Sequence, residues 1–149
     1  MSMDNRVRQK LIEKAKEGMS NAYTIVYGFA VGAAVLTEKG NIYQGCNTES
    51  TISGLGLCGE RSAIYHAVAH GDYLIKAIAI ISNLKEPIKP CGMCRQLIAE
   101  FAQLSQNNIQ ILMCDSTGTI VKESSIYEML PDAYGPETLG IDLSKYRKR

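Results

Sequence analysis

Two short cysteine motifs constrain this chain more than anything else in it. They are Cys58-Gly59-Glu60-Arg61 and Pro90-Cys91-Gly92-Met93-Cys94, and each opens a stretch with the apolar spacing of an amphipathic helix. Together they offer three thiolates and one carboxylate free of them, the parts of a zinc site that activates water. Three protein ligands leave the fourth position of a tetrahedral ion open, which separates a catalytic zinc from a structural one. The fold must therefore bring Cys58 to the Cys91/Cys94 pair. Helix N-termini suit that task, because their positive dipole ends stabilise thiolates. Three thiolates on one Zn²⁺ leave a net negative site, so a nearby cation is expected, and Arg61 beside the first ligand is the candidate.

Size and charge narrow the frame. With 149 residues and 46% hydrophobic content, the chain has enough for one sizeable core and too little for two ordinary domains, so residues 1–149 are expected to form a single domain. Five cysteines, an odd number, at a net charge of +1 suit a reducing cytoplasm better than a disulfide scaffold. The segment Met1 to Lys10 is too charged for a signal peptide, and no apolar run approaches the roughly 18 residues of a membrane helix. Near-neutral charge argues against a dedicated nucleic-acid binder. The one basic cluster, Lys145, Arg147, Lys148 and Arg149, reads as a solvated tail.

Periodicity organises the rest. Val7, Leu11, Ala15 and Met19 recur every four residues and mark a first helix with one apolar stripe. Phe29 to Leu36 reads as a buried strand, turned by Glu38-Lys39-Gly40-Asn41 into a second strand through Tyr43. Ala63, Ile64, Ala67 and Val68 form a helical face that stops at Gly71, and Ile75 to Ile81 is a continuous apolar strand. Leu97, Ile98, Phe101 and Ala102 repeat the helical pattern, and Ile109 to Met113 the strand. Strands buried on both faces imply a mixed sheet with helices on both sides, an α/β fold of three layers.

Simpler uses of the cysteines fit less well. A structural zinc needs a fourth ligand, yet His66 lies about 12 Å along the helix from Cys58, at 1.5 Å per residue, and His70 lies farther. Cys46 and Cys114 end apolar strands, where a buried inert cysteine is commoner. A redox pair at Cys91/Cys94 would leave Cys58 and Glu60 without a role. The compound spacing, Cys58-x-Glu60 followed by Pro90-Cys91-x-x-Cys94, is that of the zinc nucleobase deaminases, whose Glu is not a ligand.

Over nearly its whole length the chain resembles the cytidine deaminase family, in its small, homotetrameric, three-cysteine class. The resemblance rests on Phe29-Ala30-Val31-Gly32-Ala33-Ala34, Gly45-Cys46-Asn47-Thr48-Glu49, Cys58-Gly59-Glu60-Arg61-Ser62-Ala63, Pro90-Cys91-Gly92-Met93-Cys94-Arg95-Gln96 and Leu130-Pro131-Asp132-Ala133-Tyr134-Gly135-Pro136, in the family's order. It implies a three-layer α-β-α fold around a mixed five-stranded sheet, and zinc held by Cys58, Cys91 and Cys94. It further implies hydrolytic deamination of cytidine and deoxycytidine at C4 in pyrimidine salvage, with Glu60 moving the protons. Asn47 and Glu49 map to the residues that receive the ribose hydroxyls, and Phe29 to one packed near the nucleoside. Tyr134 stands where a C-terminal aromatic reaches into a neighbouring subunit's site. The other reading is a deaminase acting on a base within tRNA or single-stranded nucleic acid. It predicts a basic groove with aromatic platforms, and this chain has no Trp and little excess charge.

The chain departs from the family at the base. Gly59 stands where Ala is usual, Ile25, Val26 and Tyr27 replace Pro-Tyr-Ser, and Ser53 replaces an aromatic. The smaller side chains at 53 and 59 are expected to widen the base pocket and admit substituted cytidines.

Overall fold

The computed structural model describes residues 3–148. Its first helix, α1 (Asn5–Met19), is capped by Asp4, whose carboxylate accepts from the backbone N–H groups of Arg6 and Val7. The expected stripe is real: Leu11 and Ala15 are fully buried, with Val7 and Met19 packed beside them. Strands β1 (Val31–Thr37) and β2 (Ile42–Cys46) form the hairpin, with Gly40 at φ 85° in its turn. Helix α2 (Gly59–Ala69) leads to β3 (Ile75–Ser82), and α3 (Gly92–Ser105) leads to β4 (Gln110–Cys114).

With the last strand, β5 (Val121–Ser125), the sheet order is β2-β1-β3-β4-β5, with β3 and β4 parallel and the remaining pairs antiparallel. Two apolar clusters fill its two faces. Strand β1 shows no alternation of buried and exposed positions; all seven of its residues are buried, because each face is covered by helices. Ala34, Leu36, Ala79, Ile81 and Leu112 meet α1 on one side. Val35, Ile78, Ile80 and Ile111 meet α2 and α3 on the other, through Ala63, Ile64, Ile98 and Ala102. The three-layer expectation therefore holds.

Three particulars differ from the sequence reading. Phe29 is not part of the first strand, which begins at Val31. The edge strand β5 (Val121–Ser125) has the polar sequence VKESS, which carries no apolar pattern; its charges suit an exposed edge. The basic C-terminal cluster does not simply trail into solvent. Ser144–Arg147 forms a helical turn (α5, after α4 at Ile126–Met129), and the Arg147 guanidinium donates to the carbonyls of Gln103 and Leu104 at the end of α3. Arg149 lies outside the described residues.

Gly45 sets how closely the layers approach. A Cβ there would drive into the backbone of Ala63 on α2, and a Cβ on Gly18 of α1 would strike the Gly45 carbonyl from the opposite face. Both helices thus rest on the same backbone position of β2, which only glycine permits.

Candidate active site

Cys58 is the N-cap of α2 and Cys91 the N-cap of α3, and neither side chain makes a capping hydrogen bond to its helix's backbone. Because both helices lie on one face of the sheet, their N-termini converge. The Sγ atoms of Cys58, Cys91 and Cys94 all lie within 4.8 Å of one another, with Cys58 and Cys91 at 3.8 Å and Cys91 and Cys94 at 3.5 Å. Tetrahedral zinc with Zn–S bonds of about 2.3 Å requires sulfur separations of about 3.8 Å, so the three thiols fit the ion as they stand. Among the described residues no other group of three potential ligands draws so close. Cys114 is buried at the end of β4, where burial holds its thiol up to about 11. Cys46, at the end of β2, is likewise raised by burial.

The charges are arranged as the sequence led one to expect. The Cys58 thiol is lowered to about 5, chiefly by the Cys94 thiol hydrogen-bonded to it, with Arg61 and Cys91 contributing. As the donor in that pair, Cys94 is held up. Arg61 Nη2 lies 3.7 Å from Cys58 Sγ, and the same contact raises the guanidinium's own pKa. Glu60, on the first turn of α2, is only 4% exposed. Burial pushes its carboxyl above the usual carboxylate range and the Cys58 charge adds to this, while a hydrogen bond from its own backbone N–H and the Arg61 charge pull the other way.

A cavity of about 730 Å³ opens beside this group, lined by Phe29, Asn47, Glu49, Ser53, Gly59 and Glu60 together with Cys58 and Cys91. The amide of Asn47 is committed on both sides: Oδ1 accepts from Val31 N at 2.8 Å and Nδ2 donates to Phe29 O at 2.7 Å. Oε2 of Glu49 accepts from the N–H groups of Val26 and Tyr27 at 2.6 and 3.0 Å. Both residues therefore shape the 26–31 segment that walls the cavity, which the sequence did not disclose. Val26 and Tyr27, noted in the sequence only as departures from the family, also line the cavity, as do Ile52 and Lys89, which were not singled out; no motif or periodicity marks that pair, because they come from separate loops.

One expectation changes. A Cβ at Gly59 would meet Val31 O at 3.2 Å, Val31 Cγ1 at 3.3 Å and Asn47 N at 3.4 Å. The missing methyl thus faces packed atoms of Val31 and Asn47 and adds little to the cavity, whereas Ser53 lies in the cavity wall. Tyr134 does not reach this chain's own cavity; it is 58% exposed, and its carbonyl accepts from Gln96.

A family model described as the cytidine and deoxycytidylate deaminase zinc-binding region matches residues 5–108, a span that includes both cysteine motifs. A cytidine deaminase of Sporosarcina psychrophila is 37% identical over 131 residues, covering 88% of this chain and 93% of its own length. One from Halalkalibacterium halodurans is 36% identical over 132 residues, covering 89% and 97%. The crystal structure of cytidine deaminase from Burkholderia pseudomallei superposes with a TM-score of 0.76 at 34% identity, covering 89% of this chain and all of that one (100%).

Proposed function

The chain belongs to the cytidine and deoxycytidylate deaminase family, and on that premise we propose that it hydrolyses cytidine and deoxycytidine to uridine and deoxyuridine, releasing ammonia. The observation that carries this reading is one juxtaposition: three sulfurs within 4.8 Å beside a buried carboxylate at the wall of a cavity of about 730 Å³, roomy enough for a nucleoside.

Cys58, Cys91 and Cys94 would hold zinc. The bound ion supplies Lewis acidity that brings the pKa of a coordinated water near neutrality. Glu60 then does the proton work. It takes a proton from the attacking water and passes it to ring N3 as the C4–O bond forms; it then takes the remaining proton from the C4 hydroxyl and gives it to the departing amine, so that ammonia leaves as the C4–N bond breaks and the C4 carbonyl forms. A carboxyl raised by burial suits a group that must both accept and return a proton. Arg61 offsets the thiolate charge through Cys58. Asn47 and Glu49 are proposed to meet the ribose hydroxyls, Oε1 of Glu49, which has no hydrogen-bond partner among the described residues, being the available acceptor, with Phe29 and Gly59 against the nucleoside.

We further propose a single deaminase domain over 1–149, a homotetramer in which Tyr134 enters a neighbour's site, and a cytoplasmic role in pyrimidine salvage. Exposed apolar side chains around the cavity mouth support assembly: Tyr27 is 85% exposed, Ile52 62% and Leu55 66%. Five free cysteines support a reducing compartment. No helix of the described residues is long and apolar enough to cross a membrane.

The test is ammonia release from cytidine, deoxycytidine, free cytosine and a cytosine-containing RNA oligonucleotide. Turnover of the two nucleosides well above the oligonucleotide is expected. Preference for the oligonucleotide would replace this reading with a nucleic-acid deaminase.

A further inference from the structure

His66 and His70 take no part in the site above. They stand four residues apart, one in the last turn of α2 and the other at its C-cap, so both imidazoles share one helix face, and both are exposed. Each ring commits one nitrogen to a backbone carbonyl. His66 Nδ1 is 2.8 Å from the oxygen of Gln44 on β2, and His70 Nδ1 is 2.9 Å from the oxygen of His66. A carbonyl oxygen only accepts, so Nδ1 carries the proton in both rings, and the neutral imidazole keeps a free lone pair on Nε2. Histidines that ligate metals are held this way, with the second ring N–H on a carbonyl that fixes tautomer and orientation.

The spacing agrees. With metal–nitrogen bonds of about 2.0–2.1 Å and a ring radius of about 1.1 Å, an ion shared by two imidazoles at a near-tetrahedral angle sets the ring centres about 5 Å apart. They are 4.9 Å apart. Tyr43 braces the pair, its ring centre 5.3 Å from His66 and 5.2 Å from His70. Its hydroxyl is fixed in turn by the buried carboxylate of Asp72, which also accepts from Thr37 and Asn41.

We infer that His66 and His70 form a second metal site, separate from the three cysteines, for a divalent transition ion such as Zn²⁺ or Ni²⁺. Its remaining coordination positions are open to water or to a donor from another molecule. Helix α2 then carries a thiolate ligand at its N-cap and an imidazole pair at its other end.

The experiment is equilibrium dialysis of the zinc-loaded protein against Ni²⁺, with zinc and nickel counted per chain. Wild type is expected to take up one further ion per chain while keeping its zinc. His66→Gln and His70→Gln should each weaken nickel uptake at least tenfold, again with zinc retained. NMR of wild type gives a readout independent of the variants: Ni²⁺ should broaden the resonances of Tyr43, His66 and His70 first. No uptake by wild type, uptake undiminished in both variants, or broadening centred elsewhere would overturn the site.

Discussion

In the proposed mechanism the chemistry turns on Glu60. Glu60→Gln keeps its size and removes its capacity to move protons, so turnover should fall about 10²- to 10⁴-fold while zinc stays bound. Metal content and rate measured on one sample check this; loss of zinc would make Glu60 a ligand. Glu49 makes a different prediction. Glu49→Gln preserves an acceptor for Val26 and Tyr27, whereas Glu49→Ala removes the partner proposed for the ribose. Glu49→Ala should therefore lower kcat/KM for cytidine about 10- to 100-fold more than for free cytosine, matching a lost buried hydrogen bond of about 1–3 kcal/mol. Equal losses on both substrates would reduce Glu49 to a strut for the 26–31 segment. Ser53 and Gly59 now separate as well. Ser53→Tyr should sharpen discrimination against cytidines substituted on the base, while Gly59→Ala presses on Val31 and leaves that preference where it was. Relative kcat/KM for cytidine and N4-substituted analogues decides between them.

At the scale of elements, the site is an outcome of two helix starts. Their cysteines were legible because zinc ligation demands a particular residue type at a particular spacing, and their helices because apolar residues recurred with the right period. The segment holding Asn47 and Glu49 could be placed only through resemblance. Its work is done by backbone hydrogen bonds to residues 26–31, which leave no periodic trace in a sequence. Strand β5 escaped for the same kind of reason: a solvated edge has no apolar face to show. Gly45 had no signal either, since close approach from two sides is a property of three elements at once. Gly45→Ala should force α2 off β2, costing about 1–3 kcal/mol and lowering Tm by about 3–10 °C. Activity should fall with it, because Cys58 and Glu60 ride on α2. Thermal unfolding of the variant, followed by assay of the folded fraction, measures both effects.

For the whole molecule, zinc is as much a fastener as a reagent. Structural zinc sites show apparent binding energies of about 10–16 kcal/mol, and part of that should appear as stability where the ion ties α2 to α3. Cys91→Ala, or wild type treated with a chelator, should melt at a distinctly lower temperature and lose turnover. A metal-replete, fully stable Cys91→Ala protein would count against the three-cysteine site. Assembly is tested separately by light scattering. A monomer with full activity would show that no neighbour completes the cavity and would leave Tyr134 as a surface residue.

The sulfurs of Cys58 and Cys91 meet across a sequence separation of 33. An ion that captured both in the unfolded chain would close that loop in advance, and the entropy of closing it is about 3–4 kcal/mol. The metal then alters the search as well as its endpoint: distant contacts become local ones, and effective contact order falls. Refolding with zinc present from the start, compared with zinc added only at the end, sets one sequence against itself under two topologies. The ratio of the two rates reports how much of that loop is already closed at the barrier.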